Sequence, residues 1–291
     1  MTDRLPLKYI YLTIILFLVV LLTGKCVDNP ANSDTKTHDN DSIAIPEGWK
    51  LVWHDEFNGE YLDISKWEHE VNAQGGGNNE LQYYTDRPQN SWIDDTVLVI
   101  QALKETFSGT EGTREYTSAR IRSKNKGDWK YGRFEIRAKL PYGQGLWPAI
   151  WLLPTDYSYG GWAASGEIDI MELIGHESNT VYGTLHYGGE YPNNVHSGES
   201  YSLPEGNFAM DFHNFSMEWD TTQFRWYVDD IMYQSQTSWF TESYDYPAPF
   251  DQRFHLLLNV AVGGNWPGNP DNTTSFPQRL EIDYVRVFQR E

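Results

Sequence analysis

Three carboxylates fall within six residues in Gly166-Glu167-Ile168-Asp169-Ile170-Met171-Glu172, set among apolar neighbours. Side chains alternate along a strand, so Glu167 and Asp169 share a face while Glu172 points the other way, toward a core. A lone carboxylate buried there would be strongly destabilising. One extra residue in the strand, a β-bulge, returns Glu172 to the face of Glu167. The two consecutive apolar residues Ile170-Met171 are where that bulge is predicted. The result is a pair of glutamates roughly 5–6 Å apart, close to the about 5–5.5 Å at which two carboxyl groups hydrolyse a glycoside with retention, one as nucleophile and one as acid/base. Like charges that close also separate in pKa, so that one stays protonated near neutrality. A solvent-facing acidic strand and a calcium site are the competing readings of the same cluster.

The elements that must position these groups read as strands. Arg133 to Leu140 alternates strictly, with Arg133, Glu135, Arg137 and Lys139 on one face and Phe134, Ile136, Ala138 and Leu140 on the other. Phe224 to Tyr233 reads as a hairpin turning at Asp229-Asp230. Val97–Ala102, Val181–Tyr187, Phe254–Val262 and Leu280–Phe288 are further runs of strand length. No segment makes a convincing amphipathic helix. Many short strands with Gly- and Asn-rich connections predict an all-β fold, an antiparallel β-sandwich.

Composition narrows the partners. Of 291 residues, 40% are hydrophobic, enough for a packed core and too many for a disordered chain. The formal net charge of −19 repels phosphate and sulfate backbones, which argues against nucleic acid or a polysulfated partner. The 12 Trp and 19 Tyr are the strongest compositional feature, and their flat amphipathic rings suit both a core and the faces of sugars. The one cysteine, Cys26, excludes an intrachain disulfide and any cysteine-based metal cluster. Trp147 and Trp151 are four apart and share parity in a strand, so one cleft face could present both. Trp162 and Trp266 lie in Gly-rich loops and read as sugar platforms.

Five blocks together resemble glycoside hydrolase family 16: GGGNNELQYYT at 75–85, YTSARIRS at 116–123, GLWPAIWLLP at 145–154, GEIDIMELIG at 166–175 and NVAVGGNWPG at 259–268. The resemblance covers residues 49–291, and the E-x-D-x-x-E spacing is the form of the family's laminarinase branch. It implies a jelly-roll sandwich with a concave cleft and endo-hydrolysis of β-1,3-glucans. It further implies Glu167 as nucleophile, Glu172 as acid/base and Asp169 as the assisting carboxylate. His186 would lie close to these, and Asn78 and Arg120 would contact glucose hydroxyls. No catalytic cofactor is implied. A structural calcium is, with Glu56 and Asp283 as candidate ligands where the chain ends meet. The expected partner is a β-1,3-glucan and the expected state a monomer. Action on mixed-linkage glucan or agarose, or a glucan-binding lectin without catalysis, stays open.

The N-terminus suggests export. Arg4 and Lys8 precede an apolar run from Tyr9 to Leu22 that ends at Thr23-Gly24-Lys25-Cys26. That length suits a signal peptide better than a membrane-spanning helix. A cysteine straight after such a run resembles the lipobox of bacterial lipoproteins, although Lys25 stands where a small residue is usual. Residues 1–25 are thus expected as a lipoprotein signal, Cys26 as the lipidated residue of a cell-envelope lipoprotein and 26–46 as a flexible linker. Ordinary secretion and an uncleaved anchor are the alternatives. The folded domain is expected over 47–291.

Overall fold

Strands with one apolar face must bury it against another layer, and this chain does so with two stacked sheets. The computed structural model describes residues 43–291; the segment 1–25, Cys26 and the linker up to residue 42 lie outside the described residues. Ile45–Glu291 forms one compact unit. In spatial order the first sheet runs Asn194–Ser202, Thr180–Gly188, Glu167–Glu172, Leu146–Pro154, Phe254–Val262, Arg120–Arg122 and Glu68–His69. Its outer face carries the cleft described below, and it is called the cleft sheet. The second, outer sheet runs Ile231–Gln236, Phe224–Val228, His213–Trp219, Gly132–Lys139, Gln278–Arg290, Val97–Gly109, Gly112–Ser118 and Gln82–Tyr84. Trp49–Asp55 joins the far end of Gln278–Arg290, which brings the start and end of the domain together. Every strand pair is antiparallel except Gln82–Tyr84 with Gly112–Ser118. The helical residues among those described are two single 3-10 turns, Gly75–Gly77 and Gly175–Glu177. The fold is the jelly-roll β-sandwich.

Phe254–Val262 spans the predicted residues and is buried from end to end, as suits a central strand covered on both faces. Its even-numbered residues Phe254, Leu256, Leu258, Val260 and Val262 enter the core between the sheets. Its odd-numbered residues face the cleft side, where Asn259 and Ala261 reach the cavity. Phe134, Ile136 and Ala138 meet this core from the outer sheet, on the face that their alternation predicts. The hairpin turns at Asp229 and Asp230, both at positive φ (49° and 65°), the geometry of the turn that matches strand twist. Val97–Gly109 runs seven residues past the predicted Ala102. The apolar signal stops there because that end pairs with Gly112–Ser118 away from the core.

Candidate active site

The strand Glu167–Glu172 carries the predicted bulge. Against Thr180–Gly188, Glu167 pairs His186 and Asp169 pairs Thr184, but the next partners are Glu172 and Tyr182, so three steps on one strand oppose two on the other. Against Leu146–Pro154, Trp151 pairs Asp169 and Ile150 pairs Met171, and Ile170 has no partner. Ile170 and Met171 both point into the core, at 2% and 0% exposure. Parity thereby flips between Asp169 and Glu172, and Glu167, Asp169 and Glu172 all line one cavity.

A bulge frees main-chain groups from the ladder, and a buried carbonyl needs a donor. The Trp226 indole crosses the core from the outer sheet and donates to the Asp169 carbonyl oxygen at 2.8 Å. Room for that ring comes from Gly183, opposite the bulge. A Cβ there would lie 2.6 Å from Trp226 Cδ1 and 2.5 Å from the Tyr233 hydroxyl.

The cavity is an open cleft of about 690 Å³ on the cleft sheet. Both glutamates are held by tryptophans on neighbouring segments. Trp147 Nε1 donates to Glu172 Oε1 at 2.9 Å, and Trp162 Nε1 donates to Glu167 Oε2 at 2.7 Å. Trp151 donates instead to Asn259 Oδ1 at 2.8 Å, which fixes its ring on the floor. Trp147, Trp151 and Trp162 line the cleft, as do Asn78 and Arg120. The Asn78 carbonyl also accepts from Asn265 N, tying down the 263–268 loop. The Arg120 guanidinium lies 4.5 Å from the Tyr84 ring centre and 5.2 Å from that of Trp151. It stands 3.6 Å from Glu70 and 3.7 Å from Glu80. With its charge matched by these glutamates, Arg120 offers donors for hydroxyls rather than a trap for anions.

Two of the expected residues stand just outside the cavity lining, His186 beside the carboxylates as the resemblance implies and Trp266 against the cleft residue Trp147. His186 does not line the cavity. Its Nε2 faces Asp169 Oδ2 at 3.3 Å and Glu167 Oε1 at 3.8 Å, so it works on the carboxylates. Trp266, 40% exposed, stands outside the cavity lining and packs edge-on against Trp147 and Tyr182 at 5.5 and 5.1 Å. Tyr157, Tyr191 and Asn194 supply wall that sequence reasoning missed. Tyr191 lies in the turn before the edge strand and Asn194 opens the strand Asn194–Ser202, with nothing local to mark either. Asn259 was missed as well, although it is the polar residue of a recognised strand and has the parity of the cleft face.

Glu56 and Asp283 do not fit the calcium expected of them. Both Glu56 oxygens accept from Arg286, at 2.9 and 2.7 Å, and Asp283 Oδ2 accepts from Arg137 at 2.6 Å. A hard cation needs free carboxylate oxygens, and here arginines occupy both of Glu56 and one of Asp283. The pairing belongs to a charged layer on the outer sheet, in which Arg133 joins Glu135 and Glu218 and Arg225 joins Glu218.

Burial pushes the carboxyls of Glu167, Asp169 and Glu172 each up to about 8, and the Asp169 charge adds to the rise at both glutamates. Opposing forces act at the glutamates. His186 and the Trp162 N–H pull Glu167 back down, and the Trp147 N–H and His186 do so for Glu172. The cluster therefore retains protons at neutral pH. Near neutrality the three titrate as a set, sharing protons.

A β-sandwich whose open, aromatic-walled cleft presents two indole-held glutamates on one face is the architecture of a glycoside hydrolase. The chain belongs to glycosyl hydrolases family 16, whose sequence profile matches residues 78–286. It is 41% identical to the glucan endo-1,3-beta-glucosidase A1 of Niallia circulans over 90% of this chain, spanning 42% of that protein's length. It is also 41% identical to the beta-glucanase of Rhodothermus marinus, with 94% of this chain and 93% of that one covered. Among solved structures, the laminarinase catalytic domain of Thermotoga maritima is 45% identical, with a TM-score of 0.75 over 84% of this chain and 100% of that domain.

Proposed function

We propose that the chain hydrolyses internal β-1,3-glucosidic bonds of laminarin-type glucans with retention of configuration. The observation that carries this reading is the bulge, which puts Glu167 and Glu172 on one cleft face with an indole N–H on each. Glu167 has the Trp162 donor on Oε2 and the His186 imidazole near Oε1, so it is the glutamate best supported as an anion. It attacks the anomeric carbon. Glu172 carries the proton to the departing glycosidic oxygen, then takes one from the water that cleaves the glycosyl-enzyme. Asp169, buried between them, keeps negative potential or a shared proton beside the oxocarbenium-like transition state. The cleft is acidic overall and Arg120 is already paired, which favours a neutral glycan. An open cleft admits a chain at any point along its length, which suits endo-action. Glycosidases of this family need no catalytic cofactor, and water is the only co-reactant here.

The test is the anomer released first. Proton NMR of laminarin hydrolysis should show the β-product before mutarotation, and an initial α-product would overturn the assignment of both glutamates. Parallel digests of lichenan and agarose check the linkage, with laminarin expected to be cut fastest. A glucan-binding lectin would need none of the three carboxylates, and the bulge that presents them supports catalysis.

We also propose that Cys26 is acylated and tethers the enzyme to the cell envelope, on the strength of the lipobox-like segment. Labelled palmitate should follow the wild-type chain into the membrane fraction and be lost in Cys26→Ala. An unlabelled, soluble wild type would refute it.

A further inference from the structure

We propose that Glu167, Asp169 and His186 form a binding site for a divalent transition-metal ion, Zn²⁺ or Cu²⁺, that blocks the cleft reversibly. One ligand atom from each of the three residues lies within 4.8 Å of the others. His186 Nε2 stands 3.3 Å from Asp169 Oδ2 and 3.8 Å from Glu167 Oε1. Two ligands each about 2.0–2.1 Å from a tetrahedral ion are about 3.4 Å apart, so both carboxylate oxygens already stand near ligand spacing from His186 Nε2.

The oxygen that would bind is also the one without a partner. Asp169 is 2% exposed, and its Oδ2 makes no hydrogen bond, since His186 approaches without the alignment one needs. Glu167 has a division of labour between its oxygens. Oε2 accepts from Trp162, which fixes the carboxylate, and Oε1 turns toward His186. Both carboxylates line the cleft, so a fourth position opens onto water, as in three-ligand zinc sites. One imidazole with two carboxylates suits borderline ions such as Zn²⁺ and Cu²⁺. A dication would also neutralise carboxylates that are buried close together.

The ion would occupy Glu167 Oε1, the oxygen that attacks the sugar, so metal and substrate exclude each other. That consequence rests on the glycosidase reading, whereas binding itself does not. Calorimetric titration of ZnCl₂ into the full chain, in a non-chelating buffer at neutral pH, should give one bound ion. His186→Gln and Asp169→Asn should each weaken it at least about 100-fold, the upper end of what losing a mere outer partner costs. His196 is exposed and lies opposite His186 on the edge strand, and His196→Ala should leave the affinity within about twofold, a change too small to reflect loss of even an outer partner. Four-coordinate Co²⁺ should give an intense visible band that a laminari-oligosaccharide abolishes. Zn²⁺ should slow laminarin hydrolysis, and EDTA should restore it. Absence of binding at millimolar Zn²⁺, or undiminished binding in both His186→Gln and Asp169→Asn, would overturn the site. Because the titration reads binding and not turnover, a failed metal site leaves the glycosidase reading standing, and the reverse also holds.

Discussion

The indole of Trp226, in the outer sheet, donates to the main-chain oxygen of Asp169, in the cleft sheet, across the full thickness of the core. Both residues are buried, at 0% and 2% exposure. The bond ties the geometry of the bulge to the packing of the opposite layer. A carbonyl orphaned there would cost about 1–3 kcal/mol.

Trp226→Phe keeps the ring and removes the donor. It should lower stability by about that amount in urea titration and reduce kcat more than KM. Gly183→Ala attacks the same place from the other side and should destabilise by about 1–3 kcal/mol through overpacking. Wild-type stability in both variants would separate the bulge from Trp226.

Deleting Met171 should pair the strand without a bulge and turn Glu172 into the core. Activity is expected to vanish and the melting temperature to fall. A fully active deletion variant would show that Glu172 does not depend on the extra residue.

The two glutamates should fail differently. Glu167→Gln forms no covalent intermediate and should lose on the order of 10³-fold or more with every substrate. Glu172→Ala should fail chiefly with poor leaving groups, and azide should rescue it on an activated aryl glycoside to give a β-glycosyl azide. Equal losses with natural and activated substrates would remove Glu172 from the acid/base role.

Strands and parity were legible because they are local. Phe254–Val262 was found to the residue, and the bulge followed from counting between Glu167 and Glu172. The indole bonds were not legible. Trp147 stands 25 residues from Glu172, and the sequence shows a ring but not which way its N–H points. Glu56 and Arg286 are 230 residues apart and meet only because the terminal strands pair, so an acid near the domain's start read as a cation ligand. His186 was placed near the acids by resemblance, and the register that sets it opposite Glu167 gives the physical reason.

The indoles should set the pH profile. The Trp162 N–H lowers the Glu167 pKa, so Trp162→Phe raises it and moves the acid limb of kcat/KM to higher pH. The Trp147 N–H lowers that of Glu172, which must be protonated, so Trp147→Phe moves the alkaline limb to higher pH and widens the profile. A hydrogen bond to a charged group is worth about 1.5–3 kcal/mol, or about one to two pH units. Limbs that stay in place would contradict both hydrogen-bond assignments.

Asp169 should trade stability for function. Its folded pKa, about 8, lies above the ordinary value of 3.8, so the protonated form favours folding. The stabilisation is complete below about pH 4 and is lost as pH rises through about 8. Asp169→Asn cannot ionise, so its melting temperature should exceed that of the wild type by more at pH 9 than at pH 5, while activity collapses. A gap that stays constant with pH would mean that Asp169 does not titrate in this range.

The bulge places Glu172 by the number of residues and not by their identity. Ile170 and Met171 need only be apolar and of suitable volume, so drift among hydrophobic codons there leaves the catalytic pair aligned. Loss or gain of one codon between Glu167 and Glu172 reverses the alignment, and no single-base substitution can restore it. The lineage therefore tolerates apolar-to-apolar point mutation at these two positions and is exposed to in-frame loss or gain of a codon.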